Sequence, residues 1–330
     1  ISCTEKKEFL PFSSVEIETL YSDTLSIRAI ELMDGSLGFA ANKGIYGSVD
    51  LKTDAVRTNI QKYDSILPEF RSVAHTATDF FMLSVANPAL LYKTGENGKM
   101  KLVYKEENEK VFYDAMQFWN NEEGIAIGDS MGGCLSVIIT RDGGKSWKKL
   151  SCDQLPTGID GEGAYAASNT NIVVRGDKTW VATTAGRVYF SVDKGNTWET
   201  YKTPVVDDQE AHGVYSIDFY DDNIGFAIGG SYVAPMVNLK NKALTLDGGK
   251  TWKLVADGLE PNYKSCVQFV PKGDGNHIVA AGFTGISYSS DQGNTWKKLS
   301  DEGFYTIRFL NDSTAYAAGK GRISKLRFRE

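Results

Sequence analysis

Cysteine, histidine and proline are scarce in this 330-residue chain, with four, three and eight copies, and each scarcity excludes a class of chemistry. Cys134, Cys152 and Cys266 have no CxxC spacing and fit neither a zinc site nor a disulfide framework. They read as small buried hydrophobes, although Cys134 and Cys152 could pair in an oxidising compartment. His75, His212 and His277 lack HxxxH or HExxH spacing, so no metal site is expected. No run approaches the roughly 20 apolar residues of a transmembrane helix. Lys and Arg, 36 in all, are outnumbered by 42 Asp and Glu, and the formal charge of -6 argues against a general nucleic-acid partner. The runs 158–163 and 319–321 contain glycines but lack the strand-to-helix setting of a dinucleotide site, and no nucleophile elbow occurs. No cofactor is expected.

What the chain has instead is 33 glycines, 42% hydrophobic residues and a repeat. The pattern [ST]xDxGx[ST]W occurs at Thr140–Trp147, Ser191–Trp198, Thr245–Trp252 and Ser289–Trp296. Its parts are those of a hairpin turn. Asp folds back onto nearby amides, Gly takes a positive φ, Ser or Thr closes the turn, and Trp packs beneath it. The four Trp residues lie 51, 54 and 44 residues apart, which suits one four-stranded blade per repeat.

A second pattern finds the blades that lack this turn. It begins with a large or polar residue followed by a small and then an aliphatic one, and it starts at Arg28, Arg71, Asp114, Tyr165, Tyr215, Ser265 and Tyr305. Gly- and Ala-rich strands such as Gly124–Gly128 and Gly225–Gly229 follow, where small residues let backbones crowd the axis. The expected fold is therefore all-β, a seven-bladed β-propeller over 13–330. The last blade is one strand short, and Val15–Leu20 is expected to supply that strand and close the ring.

The four turns, with Phe70-Arg71-Ser72-Val73 and Asn87-Pro88-Ala89-Leu90-Leu91-Tyr92, resemble the photosystem II stability and assembly factor family of propellers. The resemblance covers 27–326. It implies an assembly-type module that binds a partner polypeptide, with an arginine-bearing face carried here by Arg28 and Arg71. Sialidases, which also place such Asp-box (BNR) turns on a propeller, are more distantly similar and imply a glycoside hydrolase of acidic sugars. Their YRIP-like motif is absent, Ser26–Ile30 being the nearest approach and lacking its proline. The start, Ile1-Ser2-Cys3 before a charged run, resembles a bacterial lipoprotein cleavage region. It implies lipid on Cys3, 1–12 as a tether, and an exported periplasmic or cell-surface protein that meets the membrane only through that lipid.

In a propeller the first position of the inner-strand pattern faces the axial mouth, with the repeat turns on the opposite face. Arg28, Arg71, Asp114, Tyr165, Tyr215, Ser265 and Tyr305 should converge there, joined from nearby loops by Asp129, Glu162, His212, Glu69 and Tyr232. Guanidiniums bind carboxylates bidentately and phenols add rigid contact surface, so a polypeptide or a small anionic or carbohydrate ligand is expected on a monomer. Tyr165 with Glu162, or Tyr215 with Glu210, would be the nucleophile pairs of a glycosidase, but neither spacing is specific. The reading therefore leans toward binding without catalysis.

Overall fold

The computed structural model describes residues 9–95 and 98–330, so the lipidation candidate Cys3 lies outside the described residues. The chain forms seven antiparallel sheets arranged as a seven-bladed β-propeller. Blades 1 to 6 are four-stranded meanders with inner strands Ala29–Met33, Phe70–His75, Tyr113–Phe118, Ile172–Arg175, His212–Phe219 and Cys266–Phe269. Blade 7 begins with Thr306–Phe309 and continues in Thr314–Arg329, which pairs with it through Thr306↔Ala318 to Phe309↔Ala315. That segment reverses at Gly321 (φ 78°) and returns so that the Phe328 amide donates to Ser313 O at 2.8 Å. Its returning half pairs with the N-terminal strand Ser14–Ser26, from Ser14↔Arg329 to Ser26↔Lys320. Phe12, just before that strand, is buried against Tyr288 and Phe328.

The described residues form several apolar clusters. Apolar residues cluster at the seams between neighbouring blades, as where Phe81, Leu83 and Leu91 of blade 2 meet Met116, Ala126 and Ile138 of blade 3. Tyr316, Ala318 and Ile323 of blade 7 meet Ile30, Leu37 and Phe39 of blade 1 in the same way, which joins the two ends of the ring. The four repeat turns lock these seams. In the turn at Ser289–Trp296, Asp291 Oδ1 accepts from the Thr295 amide at 2.8 Å and Oδ2 from its hydroxyl at 2.6 Å, while the Trp296 indole donates to Gly293 O at 2.9 Å. The other three turns repeat the Asp and Ser/Thr bonds, but the Trp147 indole is buried without an acceptor.

Two expectations need correction. Cys134 and Cys152 are not separate buried hydrophobes but a disulfide, because strand 3 of blade 3 and the segment leaving its fourth strand bring the Cα atoms to 5.5 Å. Cys266 is free and buried. Tyr165–Asn169 is not a strand either; the inner strand of blade 4 is Ile172–Arg175. The preceding segment runs across the axis and is hydrogen-bonded to five other blades. Asn169 Nδ2 donates to Val73 O at 2.8 Å and its Oδ1 accepts from the Met116 amide at 3.0 Å. Thr170 O accepts from the Ile217 amide at 2.9 Å. Ser168 Oγ donates to Ser265 O at 2.6 Å, and Ser168 O accepts from Thr306 Oγ1 at 3.0 Å. Polar residues satisfied from every side in this way form a plug.

Gly293 tests the seam. It has a φ of 83°, and a Cβ there would lie 2.3 Å from the Phe226 ring of the neighbouring blade. Gly293→Ala is expected to lower stability by about 2–4 kcal/mol, from left-handed strain plus overpacking. Denaturant unfolding reads this directly, and a loss below about 1 kcal/mol would contradict the packing described.

Candidate functional site

The inner strands carry a shared irregularity where they begin. In blades 2, 3 and 5 the register slips at Arg71, Asp114 and Tyr215, so that two residues face one on the neighbouring strand. In blades 6 and 7 the Ser265 and Tyr305 amides donate to Ala281 O and Ala318 O, residues that also face Cys266 and Thr306. A β-bulge adds a residue and re-aims its side chain. In these five blades the first position of the repeated pattern is thus the extra residue, and in blades 2, 5 and 7 its side chain reaches the axial cavity.

Above the plug these residues enclose a cavity of about 600 Å³. Arg28, Arg71, Asp129, Tyr165, Tyr215 and Tyr305 line it, as does Tyr232, and Ala166 and Ala167 just before the plug form part of its wall. Five expected members do not line it: Glu69, which pairs with Arg71, and Asp114, Glu162, His212 and Ser265. Asp114 is fully buried and does not reach the cavity surface. Glu162 is buried in a network with Arg187, Tyr189 and Thr183, its Oε1 accepting from Thr183 Oγ1 at 2.7 Å and from Arg187 Nε at 3.0 Å. It borders a neighbouring groove together with His212, whose Nδ1 lies 2.7 Å from Asp208 Oδ1. Ser265 is buried as well, its hydroxyl donating to Tyr305 O at 2.8 Å. The structure also brings in Tyr263, Phe283 and Phe112. Tyr263 stands only two positions before Ser265, but Phe283 comes from a loop between strands and carries no local signal.

One side of the cavity is aromatic. Tyr165 and Tyr215 stack face to face with centroids 3.7 Å apart, Tyr263 meets Tyr215 edge-on at 4.8 Å, and Phe283 lies 5.1 Å from Tyr263. The two stacked phenols are held by their hydroxyls, Tyr165 donating to His212 O and Tyr215 to Ala211 O, each at 2.8 Å. Neither phenol is bonded to a carboxylate, so the Tyr165–Glu162 and Tyr215–Glu210 pairings are not formed. Arg308, on the inner strand of blade 7, is buried and donates to Thr306 Oγ1 and Ile307 O, away from the cavity.

The other side is cationic. The Arg71 guanidinium lies 2.6 Å from Glu69 Oε1. Arg28 lies over the Tyr305 ring at 4.2 Å, and its buried Nε has no hydrogen-bond partner. Among the described residues Arg28 forms no ion pair. Burial, and then the like charge of Arg71, lower its pKa. A cation held by a ring face and facing a second cation is set to gain from an anion between them. Behind them stands an acid pair. Burial and then the Asp129 charge raise Asp114 well above the carboxylate range, while burial pushes Asp129 up to about 6 although the Ala164 amide donates to it at 3.2 Å.

Asp129 gives the site a pH signature. Its folded pKa is raised, so between the ordinary value of 3.8 and about 6 the folded state holds the proton more tightly than the unfolded one. The stabilisation this proton gives is present at acid pH and lost as pH rises through about 6. Asp129→Asn, which keeps the acceptor for Ala164, is expected to stabilise the protein by about 1–3 kcal/mol at pH 8 and to change little at pH 4. Urea midpoints of both proteins across that range would check it, and a pH-independent difference would refute the assignment.

No family model and no curated protein matches the chain. Solved propellers match nearly all of it. YCF48 bound to D1 peptide is 14% identical with a TM-score of 0.67, over 98% of this chain and 99% of that one. YCF48 from Cyanidioschyzon merolae is 13% identical with a TM-score of 0.62, over 96% and 99%. The WD40 repeats of RRP9 are 10% identical with a TM-score of 0.65, over 97% and 99%. Likeness at such identities shows the propeller fold and leaves function to the site.

Proposed function

We propose that this chain is a non-enzymatic binding propeller that recognises an anionic group of a polypeptide partner in the cavity above the plug. The observation that carries the reading is Arg28, a half-buried guanidinium with no ion pair among the described residues, held over Tyr305 and lining the same cavity as Arg71. Arg71, already paired with Glu69, sets the orientation of an incoming carboxylate. Tyr165, Tyr215 and Tyr305 supply contact surface at low entropic cost, and Asp129 tunes the local charge. Asp114 and Glu162 support the walls from behind. A cavity of about 600 Å³ admits one or two side chains or a small ligand. Support also comes from the solved relative whose structure is that of YCF48 with a D1 peptide, a propeller of the same fold. An exported location belongs to the same reading and is supported by the Cys134–Cys152 disulfide, a bond that persists in oxidising compartments.

The test is binding of acidic and neutral peptides, followed by fluorescence anisotropy at low and high salt. Arg28→Ala is expected to weaken acidic peptides at least tenfold, the loss of a charge-assisted hydrogen bond worth about 1.5–3 kcal/mol, and to leave the melting temperature nearly unchanged. Unaltered affinity in that variant, or no binding by any peptide, would overturn the proposal.

A further inference from the structure

A second groove of about 430 Å³ abuts the cavity. The two share a wall made of Gly161, Tyr165, Thr184, Glu210 and Tyr232. Their charges differ. The cavity holds both arginines, Arg28 and Arg71, with Asp129 and the shared Glu210, whereas the groove has no arginine or lysine and is bordered by Asp160, Asp207 and the same Glu210. Asp207 is occupied by Lys202. Asp160 and Glu210 are exposed and have neither an ion pair nor a side-chain hydrogen bond among the described residues.

Further features mark this surface as built for an occupant. Tyr263 is only 3% exposed and lines the cavity, yet its hydroxyl makes no hydrogen bond among the described residues. The ring is buried while the hydroxyl is left to the cavity, where a ligand group can pair with it. Tyr232, on the shared wall, starts a loop that leaves Val233 and Met236 68% and 70% exposed beside it. Exposed apolar side chains on the loop that begins at this wall offer contact area to a partner.

The geometry points to an extended polypeptide segment that crosses the shared wall, with a carboxylate in the arginine cavity, an apolar residue against Tyr165 and Tyr232, and a basic side chain in the acidic groove. This rests on the peptide-binding reading above and adds the partner's charge order to it. An extended chain advances about 3.3 Å per residue and alternates its side chains, so one strand-like segment serves both recesses with a short spacing between its charges. Opposite charges at two fixed points also set the direction in which the segment lies, since the reversed peptide would meet like charges at both ends.

The experiment uses the whole chain and acetylated peptides in which Glu and Lys are separated by one to four residues around a central Leu. Each is made with a free and with an amidated C-terminus, which tells a terminal carboxylate from a side-chain one. In the wild-type protein, replacing the peptide Lys by norleucine is expected to weaken the best binder about tenfold. In Asp160→Asn/Glu210→Gln the same replacement should cost less than twofold, and Asp160→Lys/Glu210→Lys should prefer a peptide with Glu in place of Lys. Both positions are exposed, so folding is preserved. A Lys that is replaceable at no cost in the wild type, or at equal cost in wild type and variant, would overturn this inference while leaving an Arg28-dependent peptide site standing. Absence of any peptide binding would instead overturn the reading on which it rests.

Discussion

Three polar residues on the propeller axis, Ser168, Asn169 and Thr170, hold the rest of the structure in place. Seven blades leave an open axial channel unless something fills it, and apolar packing at the seams cannot reach that far in. The chain solves this by sending the segment before the inner strand of blade 4 across the axis, where its side chains and carbonyls bond to blades 2, 3, 5, 6 and 7. Each of these bonds is worth little on its own. Leaving a buried donor or acceptor unpaired costs about 1–3 kcal/mol, so the set is maintained together or not at all. Arg308, fully inside, adds donors toward Ser168 O and Asn169 O at 3.5 and 3.4 Å.

The axial cavity follows from this plug. A through-channel would spread its lining over the whole depth of the molecule, whereas a plugged one becomes a floored cup on the face where inner strands begin. The bulges at Arg71 and Tyr215 turn large side chains into the cup instead of into the blade seams. The disulfide contributes from the rim. Cys152 begins the segment that passes Gly158, whose amide donates to Gly133 O at 2.7 Å, and continues to Ala164–Ala167 on the cavity wall. The loop that builds the wall is therefore tied at one end by a covalent bond and at the other by the plug.

The blades were legible in the sequence because their signals are local. A Gly with positive φ, an Asp two residues earlier and a Trp after the turn are set by spacing alone. The first-position residues Arg28, Arg71, Tyr215 and Tyr305 were legible for a related reason, since each stands at the same place where an inner strand begins. Tyr165 reached the cavity by a different route, on the plug rather than on a strand, because Tyr-Ala-Ala-Ser-Asn mimics the inner-strand pattern where the chain in fact crosses the axis. Asp114 follows the pattern but lies beneath the surface, and its burial depends on neighbours such as Asp129 that sequence periodicity does not encode. Pairing of Cys134 with Cys152 and the arrival of Phe283 at the cavity depend on how loops from different strands are brought together in space.

The account stands on the plug being a fixed part of the native state, and native-state hydrogen exchange addresses this most directly. The Met116 amide, bonded to Asn169 Oδ1, and the Ile217 amide, bonded to Thr170 O, report on two of its sides. Both are expected to exchange only through global unfolding, with the same free energy as amides in the blade seams. Exchange of these two amides at several kcal/mol below the global value would mean that the plug opens on its own, and the cavity would then have no permanent floor.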